Sequence, residues 1–146
     1  MLVRQNGTSF STGRSRFNDR AEGSDSPTAK IFVKIEPHSF GLPILAQLDT
    51  GAAWSILDIE VARELSLLNG GGQPIEISTR KGLISGWLER TQIDILADEG
   101  ATLSVQATVF VSPHWRWGNF IGYCGLLERV RFAVDPSDNS FYFGSM

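Results

Sequence analysis

The chain has 146 residues, of which 42% are hydrophobic and 20% are charged, and this size and composition fit one globular domain with a modest core. Its formal net charge is −3 and its basic residues are scattered, which excludes the basic stripe that a nucleic-acid-binding protein needs. The single cysteine and two separated histidines exclude an internal disulfide and a Cys/His zinc site, and we expect neither a metal nor a cofactor.

The N-terminal segment is rich in Gly, Ser, Thr, Asn and charged residues and shows no apolar periodicity. We therefore predict a disordered tail over residues 1–28 and a domain over residues 29–146. The alternative is that Phe10 and Phe17 dock onto the domain. The segment lacks the apolar core of a signal peptide, and no later stretch is long enough to span a membrane. We expect a cytoplasmic protein with no membrane partner.

Strand periodicity begins at Lys30, where apolar and charged side chains alternate. The same period of two recurs along the chain, and the predicted strands are KIFVKIE (30–36), PILAQL (43–48), GWLERTQIDIL (86–96) and TLSVQATVFV (102–111). Turn sequences predict two hairpins, at ADEGA (97–101) and at DPSDN (135–139), the second leading into SFYF. Most of the fold is predicted to be sheet, with antiparallel pairing.

One helix is predicted over residues 58–68, DIEVARELSLL. Asp58 is its N-cap, apolar residues recur at helical spacing, and the following NGGG ends it. The segment GYCGLLERV (122–130) also departs from the strand pattern, but it is too short and too rich in glycine for propensity to assign it an element.

Asp49 interrupts the apolar run AQLDTGAAWSIL at residues 46–57. A buried ionised carboxylate costs several kcal/mol unless it is paired or hydrogen-bonded, so this position needs compensation or a use. A strand that ends at Leu48 would deliver Asp49 into a tight turn, Gly51 would permit a backbone conformation closed to other residues, and the Ser55 hydroxyl could support the loop. The alternative is an ordinary Asp-Thr-Gly turn.

Three segments, in this order, resemble the retropepsin-like aspartic proteases, the family of retroviral proteases and their bacterial relatives. They are LDTGA (48–52), KGLISGWLERTQIDI (81–95) and NFIGYCGLLERVRFAVD (119–135). The resemblance spans about residues 29–144 and is nearer to the bacterial members. It implies an all-β, single-lobe acid-protease fold, a closed β-barrel with one or two short helices that is active as a homodimer.

The resemblance also implies a set of site residues. Asp49, Thr50 and Gly51 correspond to the catalytic loop, and Gly122 to a structural glycine that packs beside it. The predicted substrate-binding residues are Ala52 and Ala53 after that loop, a flexible flap tip made of Gly82, Leu83, Ile84, Ser85 and Gly86, and the apolar Trp115, Trp117, Phe120 and Ile121. For the two tryptophans, surface or dimer packing is the alternative.

Hydrolysis by carboxylates requires two groups in different protonation states, and the sequence has one Asp-Thr-Gly. A homodimer would place Asp49 of each copy face to face across a two-fold axis. The sequence therefore predicts an aspartic endopeptidase that uses an Asp49 dyad to activate water and cleave polypeptides. The alternatives are a protease-like binding or dimerisation module without activity, and an unrelated β-barrel or sandwich binding domain.

Two positions depart from the viral pattern. Many viral members carry an acidic residue two places after the catalytic glycine and a basic residue just after the second motif's glycine. Those positions are Ala53 and Tyr123 in this chain. The dimer must then be held in another way, and we expect the C-terminal strand SFYFGSM (140–146) to contribute.

Overall fold

A computed structural model describes residues 1–20 and 30–146 of the chain. The strands are β1 Gly13–Arg16, β2 Phe32–Pro37, β3 Ile44–Leu48, β4 Ser55–Ile56, β5 Gln73–Thr79, β6 Gly82–Ile95, β7 Glu99–Gly100, β8 Leu103–Val111, β9 Asn119–Ile121, β10 Val130–Asp135 and β11 Ser140–Ser145. The helices are α1, Ile59–Glu64, and a short 3-10 helix, Leu127–Arg129.

Six of these strands form a closed barrel, in the order β2-β3-β9-β4-β8-β6, and β6 pairs back with β2. The pairs β3–β9 and β4–β8 are parallel and the others are antiparallel. Alternation explains the interior, because inward side chains such as Val33 and Ile35 are almost fully buried while Lys34 between them is not. The all-β barrel and the four predicted barrel strands are confirmed.

The prediction of a disordered tail over residues 1–28 is wrong for residues 1–20. Strand β1 pairs with β11 and β7, and Phe17 lies in the barrel core with 4% exposure, which is the docking alternative for that residue. The apolar pattern missed β1 because its inward positions are Gly13 and Ser15; a Cβ at Gly13 would lie 2.3 Å from Phe143 Cε2. Residues 21–28, and the predicted domain start at 29, lie outside the described residues.

The C-terminal strand β11 lies inside the second sheet, whose order is β10-β11-β1-β7. It pairs with β10 along one edge and with β1 along the other, and the predicted hairpin at residues 135–139 joins it to β10. Its backbone therefore cannot pair with a second copy unless β1 or β10 is displaced. This placement counts against the expectation that the C-terminal strand holds a dimer.

Helix α1 begins as predicted and ends earlier. Asp58 is the N-cap, and its Oδ1 accepts the Glu60 amide at 3.1 Å. The helix stops at Glu64 because Ser66 adopts a φ of 56°, which takes the chain out of the helical conformation. Leu67 and Leu68 pack against the barrel core from the irregular segment that follows. No helix in residues 1–20 and 30–146 is long and apolar enough to cross a membrane.

Strands β5 and β6 form a long hairpin that extends beyond the barrel. Strand β5 was not predicted, and its two-residue turn is Arg80–Lys81, since Thr79 pairs with Gly82. The prediction of a tip at Gly82–Gly86 is therefore wrong. Gly86 lies in the ladder opposite Ile75, and it is a glycine because a Cβ there would lie 2.2 Å from the Val111 carbonyl oxygen.

Candidate active site

Asp49 follows strand β3 directly and begins a tight loop. Its amide donates to the Ile121 carbonyl at 2.9 Å, and its own carbonyl accepts the Ala52 amide at 3.1 Å. The carboxylate Oδ1 accepts the Gly51 amide at 3.0 Å, and the side chain is half-buried. The carboxylate is thus oriented by the backbone of its own loop.

Gly51 has a different role from the one that the sequence suggested. Its φ is not in the positive region where glycine is favoured. A Cβ at this position would lie 3.3 Å from Asp49 Oδ1, a distance at which the carboxylate would have to move. A side chain at this position would therefore press on the carboxylate that the Gly51 amide orients, and glycine avoids this contact.

Residues 121–124, which we call the clamp segment, hold the Asp49 loop from the other side. The Tyr123 amide donates to the Ala52 carbonyl at 2.9 Å and the Cys124 amide to the Ala53 carbonyl at 2.8 Å. The Gly122 amide donates to Ser55 Oγ at 2.9 Å, and Ser55 is almost fully buried. Ser55 therefore supports the loop as predicted, by bonding the segment that faces it.

Gly122 allows the two segments to come together. A Cβ at this residue would lie 2.3 Å from the Trp54 carbonyl carbon and 2.7 Å from the Ser55 nitrogen. Both are backbone atoms, which cannot rotate away as a side chain can. The structural role expected for Gly122 corresponds to this close approach.

Asp49 has no charged partner, because none of the ion pairs in the described chain involves it. Thr50 is exposed, and its hydroxyl forms no hydrogen bond within residues 1–20 and 30–146. The next carboxylate in the sequence, Asp58, is already engaged: Oδ1 caps α1 and Oδ2 accepts the Gly118 amide at 3.0 Å. One copy of the chain thus offers one uncommitted carboxylate at this loop.

A cluster of apolar side chains lies between the hairpin and the segment after the Asp49 loop. Its buried members are Ile56, Ile84, Phe110 and Trp115, and the partly buried residues packed against them are Trp54, Ile75, Ile77, Leu88 and Phe120. The Trp115 and Phe120 rings meet edge to face at a centroid distance of 5.7 Å. We call this set the hairpin cluster; it joins the inner face of the hairpin to the Asp49 side of the barrel.

The predicted substrate-binding residues separate into several groups. Ala52 and Ala53 follow Asp49 in its loop, and Ile84, Trp115 and Phe120 lie in the hairpin cluster. The exposed ones are Ala53, Gly82, Leu83, Ser85 and Trp117, of which Leu83 is 67% and Trp117 43% exposed. Ile121 instead packs in the barrel core with 1% exposure, and Gly86 is buried where a Cβ would meet Val111 and Phe110, so the burial of these two residues does not fit the predicted substrate contact.

Two open grooves lie elsewhere on the surface. One, of about 510 Å³, runs between the hairpin and Pro113–His114, and the other, of about 400 Å³, lies beside Arg90 and Arg129. Asp49 lines neither groove. In the described part of the chain, no group of three or more His, Cys, Asp or Glu residues is arranged to hold a metal ion.

The fold is similar to that of a retropepsin-like aspartic protease from Rickettsia conorii, seen in its crystal structure. The TM-score is 0.53 and the identity 16%, and the match covers 92% of this chain and 94% of that one. No family model matches the sequence, and no curated protein matches it. At this identity the likeness concerns the fold, and it confirms the predicted single-lobe retropepsin-like architecture.

Proposed function

We propose that the protein is an aspartic endopeptidase, active as a homodimer in which each copy contributes Asp49. One observation carries the proposal: a retropepsin-like fold holds a single uncommitted carboxylate at the end of a barrel strand, oriented by the Gly51 amide and braced by the clamp segment. A binding module has no evident need for a carboxylate fixed in this way.

A second copy supplies what the loop lacks. Two-fold symmetry brings identical loops together, so the partner of Asp49 is Asp49 of the partner subunit. Two carboxylates about 3 Å apart do not both ionise easily, and such a pair shares one proton and titrates as a unit. Thr50 is exposed beside the carboxylate, where its hydroxyl is available to the facing loop.

The reaction uses both states of that pair. The ionised Asp49 accepts a proton from a water molecule, whose oxygen attacks the carbonyl carbon of the peptide bond, while the protonated Asp49 of the partner subunit donates a hydrogen bond to the carbonyl oxygen. A proton then passes to the leaving nitrogen as the carbon–nitrogen bond breaks. The acid and the amine separate, and no covalent link to the enzyme forms.

The substrate class is an extended polypeptide. An extended segment can pair with the strands of a hairpin through its main chain, while pockets for its side chains give preference. Trp54 and Phe120 are the partly exposed aromatic members of the hairpin cluster on the Asp49 side. We expect large apolar residues beside the cleaved bond, because those rings would be buried by them.

The test is cleavage of an unfolded protein at about pH 3 to 8, the range over which carboxylates titrate, with fragments identified by mass spectrometry. Asp49→Asn should abolish cleavage without unfolding the chain, because the amide oxygen can still accept the Gly51 amide. Asp135→Asn is the matched control, since Asp135 Oδ1 likewise accepts the amide two residues ahead, at 2.9 Å, in a remote hairpin. Persistent cleavage by Asp49→Asn, or none by a demonstrated wild-type dimer, would refute the proposal.

A further inference from the structure

The hairpin tip has a fixed shape. The Thr79 hydroxyl accepts the Lys81 amide at 3.0 Å and donates to the Gly82 carbonyl at 2.9 Å. Gly82 has a φ of 101°, a conformation that glycine adopts readily and other residues do not. The turn thus sets where the Lys81 side chain leaves the backbone, and Arg80 and Lys81 are both exposed there.

Trp117 is presented by residues 112–118, which are bonded both to the hairpin, where the Ser112 hydroxyl donates to the Ser85 carbonyl at 2.7 Å, and to the start of α1. The Gly118 amide donates to Asp58 Oδ2, and the Ile59 amide donates to the Trp115 carbonyl at 3.0 Å, so the segment is tied to the start of α1. Trp115 Nε1 closes the loop by donating to the Gly118 carbonyl at 2.8 Å. The Trp117 ring packs edge-on against Trp115, with centroids 5.1 Å apart.

At the turn itself, these two elements meet through the side chains of Lys81 and Trp117. Lys81 Nζ lies 5.3 Å from the centroid of the Trp117 ring, within the distance of about 6 Å at which an ammonium group is attracted to an aromatic face. The neighbouring Leu83 is exposed and buries little apolar surface at the tip. The Lys81–Trp117 contact is thus the one made by the turn residues themselves, whereas the strands that follow the turn are held by the ladder, the Ser112–Ser85 hydrogen bond and the hairpin cluster.

We infer that Lys81 and Trp117 form a latch that keeps the hairpin tip closed over the Asp49 side of the barrel, and that substrate enters when the latch opens. Lys81 is thus a positioning residue, and Trp117 is a latch partner in addition to a predicted substrate contact. The latch stands on the geometry of one chain, while its effect on substrate entry rests on the proposed function. An exposed contact of this kind shifts the ratio of closed to open tips about two- to fivefold.

Amide hydrogen exchange at residues 79–84 tests the latch directly, because it reports opening of the tip whether or not the protein cleaves anything. Lys81→Met, which keeps the stem and removes the charge, should speed exchange about two- to fivefold. Lys81→Arg should restore the wild-type rate. Arg80→Met is the control, since it removes the same charge from the same turn and should leave the rate unchanged.

A double-mutant cycle identifies the partner. Trp117→Leu should speed exchange as much as Lys81→Met, and the double variant should be no faster than either single one. Equal rates in Arg80→Met and Lys81→Met, or additive effects in the double variant, would overturn the latch. In a protein that cleaves peptides, Lys81→Met should lower KM about two- to fivefold and leave kcat unchanged, because more molecules are open to substrate. An unchanged KM beside faster exchange would refute the role in entry and leave the peptidase assignment intact.

Discussion

The Asp49 loop and the N-terminal strand are attached to the barrel by different kinds of contact. The loop is held by uncharged hydrogen bonds to the clamp segment, and the one between the Gly122 amide and Ser55 is buried. Strand β1 is held partly by exposed charges, since Arg14 pairs with Glu99 at 2.7 Å and with Asp138 at 2.8 Å. The difference teaches that the geometry around Asp49 does not depend on ionisation elsewhere, whereas the attachment of the N-terminal strand does.

The charged contacts around strand β1 shift the pKa values of their carboxyl groups. The Lys34 ammonium and then the Arg16 amide lower the pKa of Asp98 below its ordinary value. The Ser140 hydroxyl is the main cause that lowers the pKa of Asp138, while the hydrogen bond to Asp138 raises the pKa of Arg14. Acid therefore weakens the attachment of the N-terminal strand and leaves the clamp unchanged.

We expect the largest loss of stability from a substitution that breaks the contact between the Asp49 loop and the clamp segment. Gly122→Ala would place a Cβ against the Trp54 and Ser55 backbone, and we expect it to lower the free energy of unfolding by about 3 kcal/mol, the upper range for overpacking. Gly71→Ala is the control, because a Cβ there meets no atom within 4 Å and its φ is not positive. Urea unfolding measures both. Equal stability of the two variants would contradict the close approach.

A smaller effect on stability distinguishes the Ser55 hydroxyl, which accepts a hydrogen bond, from the Ser15 hydroxyl. Ser55→Ala leaves the buried Gly122 amide without its partner and should cost about 2 kcal/mol. Ser15→Ala, in β1, removes a buried hydroxyl that has no hydrogen-bond partner within residues 1–20 and 30–146, and should be neutral or slightly stabilising. Thermal or urea unfolding of this pair is the measurement, and a cost at Ser15 equal to that at Ser55 would remove the distinction between the two regions.

The smallest effect concerns pH. A carboxyl whose folded pKa is lowered adds stability above its unfolded pKa, and that stability is lost as the pH falls through the folded pKa. Asp98→Asn should therefore cost at most about 1 kcal/mol at neutral pH, the upper value for an exposed pair, and progressively less as the pH falls below about 4. The cost of Ser55→Ala should be the same at both pH values, because its hydrogen bond does not titrate. Urea unfolding near pH 7 and pH 2 checks this contrast.

The sequence predicted the barrel where apolar alternation is regular, as in β2 and β8. It missed β1 because the inward side chains there are small and polar, and their places are filled by residues such as Phe143 from the far end of the chain. Strand β5 was not predicted, although Ile75 and Ile77 alternate with polar residues there, and this alternation is the signal that identifies it. The local pattern of apolar residues predicts which side chains can be buried. It does not predict which distant strand packs over a small or polar side chain.

In the candidate site, too, the sequence predicted some features and only the fold reveals the others. Asp49 and Ser55 were found because a carboxylate and a hydroxyl in an apolar run are chemically conspicuous. The clamp is made of main-chain amides, which any sequence supplies, so only the fold reveals it. The expectation of flexible glycines is wrong: a Cβ at Gly86 would clash with the Val111 carbonyl, a Cβ at Gly51 would press on the Asp49 carboxylate, and the hairpin turn is Arg80–Lys81. The Lys81–Trp117 contact joins residues too far apart in sequence to be paired by pattern.

Subunit mixing tests the central claim, that two copies each supply Asp49, most directly. Wild-type protein is equilibrated with Asp49→Asn at constant total chain concentration, and peptide cleavage is measured per wild-type chain. If both carboxylates are needed, this activity falls with the wild-type fraction, to about half in an equimolar mixture, because mixed dimers are inactive. Mixing with Asp135→Asn, which keeps Asp49, should leave the activity per chain unchanged. Activity per wild-type chain that does not respond to Asp49→Asn would show that one copy suffices and would contradict the shared site.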